Sequence, residues 1–179
     1  MPRPTAIRPY RWGVQFVDVQ VTDPSAHALL TEYFEYRAST FPAGQTYQPT
    51  FPIPGDFTPP RGVFLLLVDD DGTAIGCGGV RLLGVAQDGA TIFEVKHLWL
   101  RPHTRGRGLG HRLLEELERR AAAFGARDLV LDTNRSLAAA NALYRSAGWF
   151  EIDAYNTNPN ATNWYAKVLP ARPGDPTVR

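Results

Sequence analysis

Two Asp-Gly pairs, Asp71-Gly72 and Asp88-Gly89, most restrict what this chain can fold into. An Asp-Gly step supplies the positive backbone torsions of a tight hairpin. Each pair stands between runs that read as strands: "GVFLLLV" before the first, "AIGCGGVRLL" between the two, and "ATIFEVKHLWL" after the second. Three strands joined in this way form an antiparallel meander. The apolar period then changes from two to 3.6, because Leu109, Leu113, Leu114, Leu117, Ala121 and Phe124 mark one face of a helix that Gly125 stops. "DLVLDTN" reads as a buried strand, "SLAAANALYRSAG" as a helix from an N-cap at Ser136 to Gly148, and "NWYAKVL" as a last strand. Upstream, "WGVQFVDVQV" (12–21) is strand-like. Asp23-Pro24 follows as an N-cap with proline at the first helical position, opening a helix to about Ser39 with Leu29, Leu30, Tyr33 and Phe34 on one face. The expected fold is α/β, with a mixed, mostly antiparallel sheet flanked by helices.

Between that first helix and the meander, residues 41–60 hold six prolines and the aromatics Phe41, Tyr47, Phe51 and Phe57. The prolines disfavour regular structure there, while the aromatics predict an ordered loop packed against the core or a ligand. A chain of 179 residues with 44% hydrophobic composition buries one good core. The expectation is a single domain over 1–169, with a disordered tail over 170–179, where three prolines and a glycine fall in ten residues. Nineteen Lys and Arg against eighteen Asp and Glu leave no global field that would draw nucleic acid or an acidic membrane. A lone cysteine, Cys77, excludes an internal disulfide and any multi-cysteine metal site. The Met-Pro-Arg-Pro start carries no apolar signal core, and no apolar run reaches the roughly 20 residues of a membrane helix, so a cytoplasmic protein without a membrane partner is expected.

In so neutral a chain, the stretch from Arg101 to Arg112 gathers four arginines and two histidines with no acid among them. Within it, Arg105-Gly106-Arg107-Gly108-Leu109-Gly110 joins a strand to a helix. The first amides of a helix have no internal acceptors, the helix dipole is positive there, and glycine lets an anion approach the backbone. A phosphate site is therefore expected. A Walker loop is absent, because no Gly-Lys-Ser/Thr ending follows. A dinucleotide fingerprint would need glycine where His111 stands, and it would have to open its domain rather than follow three antiparallel strands.

The segments "FEVKHLWLRPHTRGRGLGHRLLEEL" and "LDTNRSLAAANALYRSAGWFEI" together resemble the GNAT superfamily of acetyl-CoA-dependent N-acetyltransferases. The first carries an R-x-x-G-x-G turn at Arg105, Gly108 and Gly110. The second carries a Leu-Tyr pair at Leu143-Tyr144 and a Gly-aromatic pair at Gly148-Trp149. The resemblance covers 60–169 well and the first sixty residues in general order. It implies a GNAT-like twisted sheet and coenzyme A as cosubstrate, with the pyrophosphate on the amides from Arg105 through Gly106, Arg107, Gly108, Leu109 and Gly110 to His111. Arg105, Arg107 and His111 would add charge. It also implies that the central strand and the strand after the helix splay apart, with the pantetheine arm pairing along Leu98, Trp99 and Leu100.

The resemblance further assigns Glu94 as the base that frees the attacking amine and Tyr144 as the proton donor to the departing thiolate. An amine is mostly protonated at neutral pH, its ordinary pKa lying near ~10.4, so a base is required. Phe93 and Val95 flank Glu94 in alternation, so Glu94 faces away from both. Asn134 and Asn141 lie near the same groove and can reach the pantetheine amides; the family's frequent asparagine seven residues before the tyrosine is here Leu137. Cys77 reads as a small core residue. His97 and His103 lack ligand partners at helical spacing and read as solvated or cofactor-adjacent, and no metal is expected. The implied reaction is acetyl transfer to the amine of a small polar molecule, approaching between the 41–60 loop and "DAYNTNPNATNWY" (153–165) with its four asparagines. A peptide or protein amino terminus is the alternative acceptor, an acyl-CoA sensor without turnover is the alternative class, and a homodimer is compatible with all three.

Overall fold

A strand that is apolar at every position, such as "GVFLLLV", is stable only when both of its faces are covered. The computed structural model of the protein, which describes residues 13–170, covers both. In this strand, β2 (Gly62–Val68), Val63, Leu65 and Leu67 enter a core on one face of the sheet while Phe64 and Leu66 enter a second core on the other. The Asp-Gly hairpins join β2 to β3 (Ala74–Val85) and β3 to β4 (Thr91–Leu100), with Gly72 and Gly89 at φ +86° and +85°. The Asp71 and Asp88 carboxylates accept the amides of Thr73 and Ala90 and close the turns.

β1 (Gln15–Val19) pairs with β2 at the sheet edge and is shorter than the 12–21 run suggested. α1 (Pro24–Ser39) starts where Asp23 accepts the amides of Ser25 and Ala26 and lays Leu29, Leu30 and Phe34 into the second core. α2 (Leu109–Ala123) covers the opposite face with Leu113, Leu114, Leu117 and Ala121. It carries the chain from β4 to β5 (Asp128–Thr133), and these two form the parallel pair of the sheet. α3 (Ala138–Ser146) leads to β6 (Phe150–Ile152), and β7 (Asn163–Val168) inserts between β5 and β6. The seven-strand order β1-β2-β3-β4-β5-β7-β6 is antiparallel at every junction except β4-β5, as the mixed, mostly antiparallel reading required.

Two further details depart from the sequence reading, while the loop keeps to it. Ser136 does not cap α3: the helix begins at Ala138, and Asn134 instead accepts the Ser136 amide through its own side chain. The three-residue β6 had no alternating pattern long enough to announce it. Residues 41–60 are irregular except for a 3₁₀ turn at Pro54–Phe57, and their aromatics pack as a series, Phe51 edge-on to Phe34 and Tyr47 edge-on to Phe41. The expected tail, beyond Pro170, lies outside the described residues. Among the described residues, no helix is long and apolar enough to cross a membrane.

The register of β4 carries an irregularity that positions the site. Gly79 pairs with Lys96 and Cys77 with Trp99, so Gly78 alone faces both His97 and Leu98. His97 adopts φ +57°, the left-handed conformation of a bulge. Side-chain parity reverses there: Phe93 and Val95 point to the α2 core before it, and Leu98 and Leu100 do so after it, while Trp99 points to the α1 core.

The same crossing makes Gly79 a point of close approach. A Cβ there would stand 2.6 Å from the Phe57 ring and 2.8 Å from that of Phe64. Gly79→Ala is expected to lower the unfolding free energy by about 1–3 kcal/mol, read by urea denaturation, as for other overpacked cores.

Candidate active site

Parallel pairing of β4 with β5 runs only through Ile92, Phe93 and Glu94, opposite Asp128, Leu129 and Val130. Past that point the strands diverge. A cavity of about 420 Å³ occupies the fork, walled by α1, the 41–60 loop, β4, β5, α3 and the 156–161 segment.

Glu94 lies on its β4 wall, facing away from Phe93 and Val95 as alternation predicted, and it is buried, at 1% exposure. Its Oε2 accepts both Nε (2.9 Å) and Nη2 (2.8 Å) of Arg81. Oε1 accepts the Tyr155 hydroxyl at 2.8 Å and stands 3.4 Å from the Lys96 ammonium. Lys96 in turn reaches Asp132 at 3.0 Å, and Arg81 reaches Asp56 at 3.0 Å. Burial by itself would raise the Asp132 carboxyl; the Lys96 ammonium and the amides of Asn156 and Asn158 outweigh it and hold the group below its usual range. Burial would likewise lower Lys96, and its two carboxylate partners hold it above its ordinary value.

Tyr144 reaches the cavity from α3, its ring tilted against Trp149 and Tyr165. Burial pushes its phenol above the ordinary value, so the hydroxyl keeps its proton at working pH. Among the described residues, no hydrogen bond from protein occupies that hydroxyl. Asn134 and Asn141 are both used internally. Asn141 donates to the carbonyls of Asn134 and Leu137 and accepts from the Tyr165 hydroxyl, which ties β5, α3 and β7 together without facing the cavity. Asn134 does face it, while donating to the Asn160 carbonyl.

On the far side of the fork, the β5-facing edge of Leu98, Trp99 and Leu100 has no partner strand among the described residues. The Trp99 ring is buried beneath Arg105, whose guanidinium lies 4.7 Å from the indole centroid while Nε donates to the Leu100 carbonyl. Gly106 and Gly108 take φ +77° and +72°, and a Cβ on either would project into open space. No side chain caps α2 at Gly108, and Arg112 bonds back to the Gly108 carbonyl. The first-turn amides of Leu109, Gly110 and His111 therefore point from an uncapped helix end, and the cradle fits a phosphate group. Leu109 buries its side chain in the α2 core, Arg107 is half-buried at the turn, and the His111 ring shares a hydrogen bond with Ser146. Gly110 has a different job: a Cβ there would meet Leu143 at 3.3 Å, so this glycine permits α2 to pack on α3.

Sequence reasoning missed Arg81, Lys96, Asp132 and Tyr155. Asp132 had a signal, being the acid that follows the apolar run Leu129–Leu131 of β5, whereas Arg81 stands opposite Glu94 only in the bulged β3-β4 register and Tyr155 reaches it only through tertiary contact. The four asparagines of 153–165 are turned inward. Asn156 and Asn158 donate to Asp132, Asn160 exchanges two hydrogen bonds with the backbone of Gln48, and Asn163 accepts from Thr162. They build the wall and latch the 41–60 loop to it. His97 is also placed differently from the solvated reading: its ring is packed edge-on against Tyr33 and Phe34 at the cavity wall. Burial, with the Lys96 and Arg81 charges adding to it, lowers its pKa to about 3. His103 is exposed and Cys77 is buried in the core. Among the described residues, no group of three or more His, Cys, Asp or Glu gathers as a metal site.

A forked mixed sheet with a glycine turn opening its crossover helix defines a class shared by known proteins. The acetyltransferase (GNAT) family matches residues 22–149, and the chain belongs to that family. It is 37% identical over 103 residues to an uncharacterized N-acetyltransferase of Schizosaccharomyces pombe, covering 58% of this chain and 61% of that one. It is 37% identical over 84 residues to an IAA acetyltransferase of Azospirillum brasilense, covering 47% and 52%. The chain thus spans between half and two thirds of the length of these curated relatives. The fold matches that of a GNAT acetyltransferase from Staphylococcus aureus, with TM-score 0.70 at 15% identity over 88% and 100% of the two chains. It also matches a phosphinothricin acetyltransferase from Sinorhizobium meliloti in complex with acetyl-CoA, with TM-score 0.60 at 22% identity over 87% and 88%.

The His97 environment has a measurable acid signature. An unfolded chain takes up the imidazole proton near 6.5 while the folded one does not until about 3. The stability held above 6.5 is lost progressively as pH falls towards 3, by up to about 1.4 kcal/mol per unit. His97→Gln should flatten that part of the limb in denaturant titrations at pH 6.5, 5.5 and 4.5.

Proposed function

We propose that the protein transfers an acetyl group from acetyl-CoA to the primary amine of a small polar molecule. The observation that supports it most is the single cavity in the β4-β5 fork, which presents Glu94 from β4 and Tyr144 from α3 to one space. The cosubstrate supplies a thioester carbonyl as electrophile. The backbone amides from Arg105 to His111 hold its pyrophosphate, and the open edge of Leu98–Leu100 receives the pantetheine amides; Asn134 stands on the opposite wall.

In this reading Glu94 accepts the proton released as the amine attacks, and Arg81, Lys96 and Tyr155 fix the carboxylate in place rather than leave it to choose its own rotamer. The Tyr144 hydroxyl, unoccupied by protein among the described residues and kept protonated by burial, donates a hydrogen bond to the departing sulfur as the carbon–sulfur bond breaks; the thiolate leaves with its charge so stabilised, and the amine's proton remains on Glu94 until solvent takes it. The Gln48–Asn160 hydrogen bonds join the two segments that flank the acceptor end.

Gly108→Glu places a carboxylate in the phosphate cradle and should weaken coenzyme A binding by at least about a hundredfold in calorimetry. Gly108→Asn, which tolerates positive φ and adds no charge, should keep binding within about tenfold. Equal affinity of parent and Gly108→Glu would remove this turn from the cosubstrate site.

Tyr144→Phe loses no protein hydrogen bond, so its melting temperature should match the parent while kcat falls by roughly 100-fold or more and the acetyl-CoA KM is held. Glu94→Gln should lower kcat most at pH 6 and recover partly by pH 9, at a cost in stability of about 3–5 kcal/mol from the uncompensated Arg81 and Lys96. Parental rates in both variants, with an accepted amine, would refute these two roles.

A further inference from the structure

Each cation at the cavity wall is answered by an acid, with one exception. Arg81 is met by Glu94 and Asp56, and Lys96 by Glu94 and Asp132. Arg37, in the last turn of α1, is only 3% exposed, lines the same cavity and forms no ion pair among the described residues. Its Nη1 is buried with no hydrogen-bond acceptor. The guanidinium lies 5.4 Å from the Phe41 centroid and 5.3 Å from that of Tyr47, and the Tyr33 hydroxyl beside it is a neutral oxygen. Ring faces and a phenol attract a guanidinium, but they supply neither the charge nor the paired acceptor oxygens that its planar fork is built to bind. A buried charge left without a counterion is costly, so such a group marks a place where the counterion comes from outside the protein. In sequence, Arg37 continues the Leu30, Tyr33, Phe34 stripe, where an apolar residue would be expected on a helix that merely packs.

We propose that the acceptor is an amino-carboxylate, whose carboxylate pairs with Arg37 while its amine is directed to the Glu94 side of the cavity. This rests on the acetyl-transfer reading above and names the substrate class of that site. A zwitterion of this kind matches the wall at both ends: an anion at the one unanswered cation, and an amine beside the carboxylates of Glu94 and Asp132. The phosphates of the cosubstrate are not the counterion, because the 105–111 turn is not part of the wall that holds Arg37.

The test compares free amino acids (glycine, alanine, serine, methionine) with their carboxamides as acceptors for acetyl-CoA, in the parent, Arg37→Gln and Arg37→Lys. The expected result is at least about a tenfold preference in kcat/KM for the acids, lost in Arg37→Gln, with the acetyl-CoA KM held within about twofold. Arg37→Lys, which keeps the charge without the fork, should retain part of the preference, and it carries the test alone if Arg37→Gln does not fold. Equal use of acids and amides, a preference that survives Arg37→Gln, or a loss confined to the acetyl-CoA KM would each overturn the proposal. If no amine of any class is acetylated, the acetyl-transfer reading fails, and binding decides the anion site separately. Calorimetry with N-acetylalanine and N-acetylalaninamide, with and without coenzyme A, should then show binding of the acid alone that Arg37→Gln abolishes. Binding of both or of neither overturns it.

Discussion

The left-handed bulge at His97 is the constraint on which the site depends. By setting two residues of β4 against the single Gly78 of β3, it reverses side-chain parity in mid-strand and bends β4 away from β5. Without it, pairing with β5 could continue past Glu94, and a strand buried on both faces would have no reason to part from its neighbour. The unpaired edge at Leu98–Leu100 and the cavity in the fork lie directly beyond this residue, held at φ +57°. The packing around it accounts for its persistence: the ring is set among Tyr33, Phe34 and Phe57, and on the opposite face Gly78 leaves room for Leu113 and Leu117 of α2 to close over the bulge.

Around that bend the protein buries more charge than its near-neutral composition suggests. The chain Asp56–Arg81–Glu94–Lys96–Asp132 alternates in sign, and Tyr155, Asn156 and Asn158 fill its remaining acceptor positions. Alternation lets five ionic groups share a low-dielectric wall, because each is answered on both sides or by hydrogen bonds. Its functional consequence is rigidity: Glu94 is held by three different side chains from β3, β4 and the segment after β6. Arg37 stands outside this chain and, among the described residues, forms no ion pair at that wall.

The sequence by itself determined the local and periodic features. Asp-Gly turns, the proline-opened α1, the leucine stripe of α2 and the glycine turn at 105–110 are encoded in neighbouring residues, where torsional preference and periodicity act at short range. Family membership was legible for the same reason, since the motifs that carry it are contiguous. Glu94 and Tyr144 could be pointed to, but not their surroundings. Only tertiary structure decided that Arg81 and Tyr155 would meet at Glu94 from 13 and 61 residues away. It likewise tied the cavity-lining Asn156 and Asn158 to Asp132 and Asn160 to Gln48, and it committed Asn141 to fastening α3. A polar side chain states what bonds it can make; which partner it finds is settled by packing that brings distant elements together, and no local pattern records that choice.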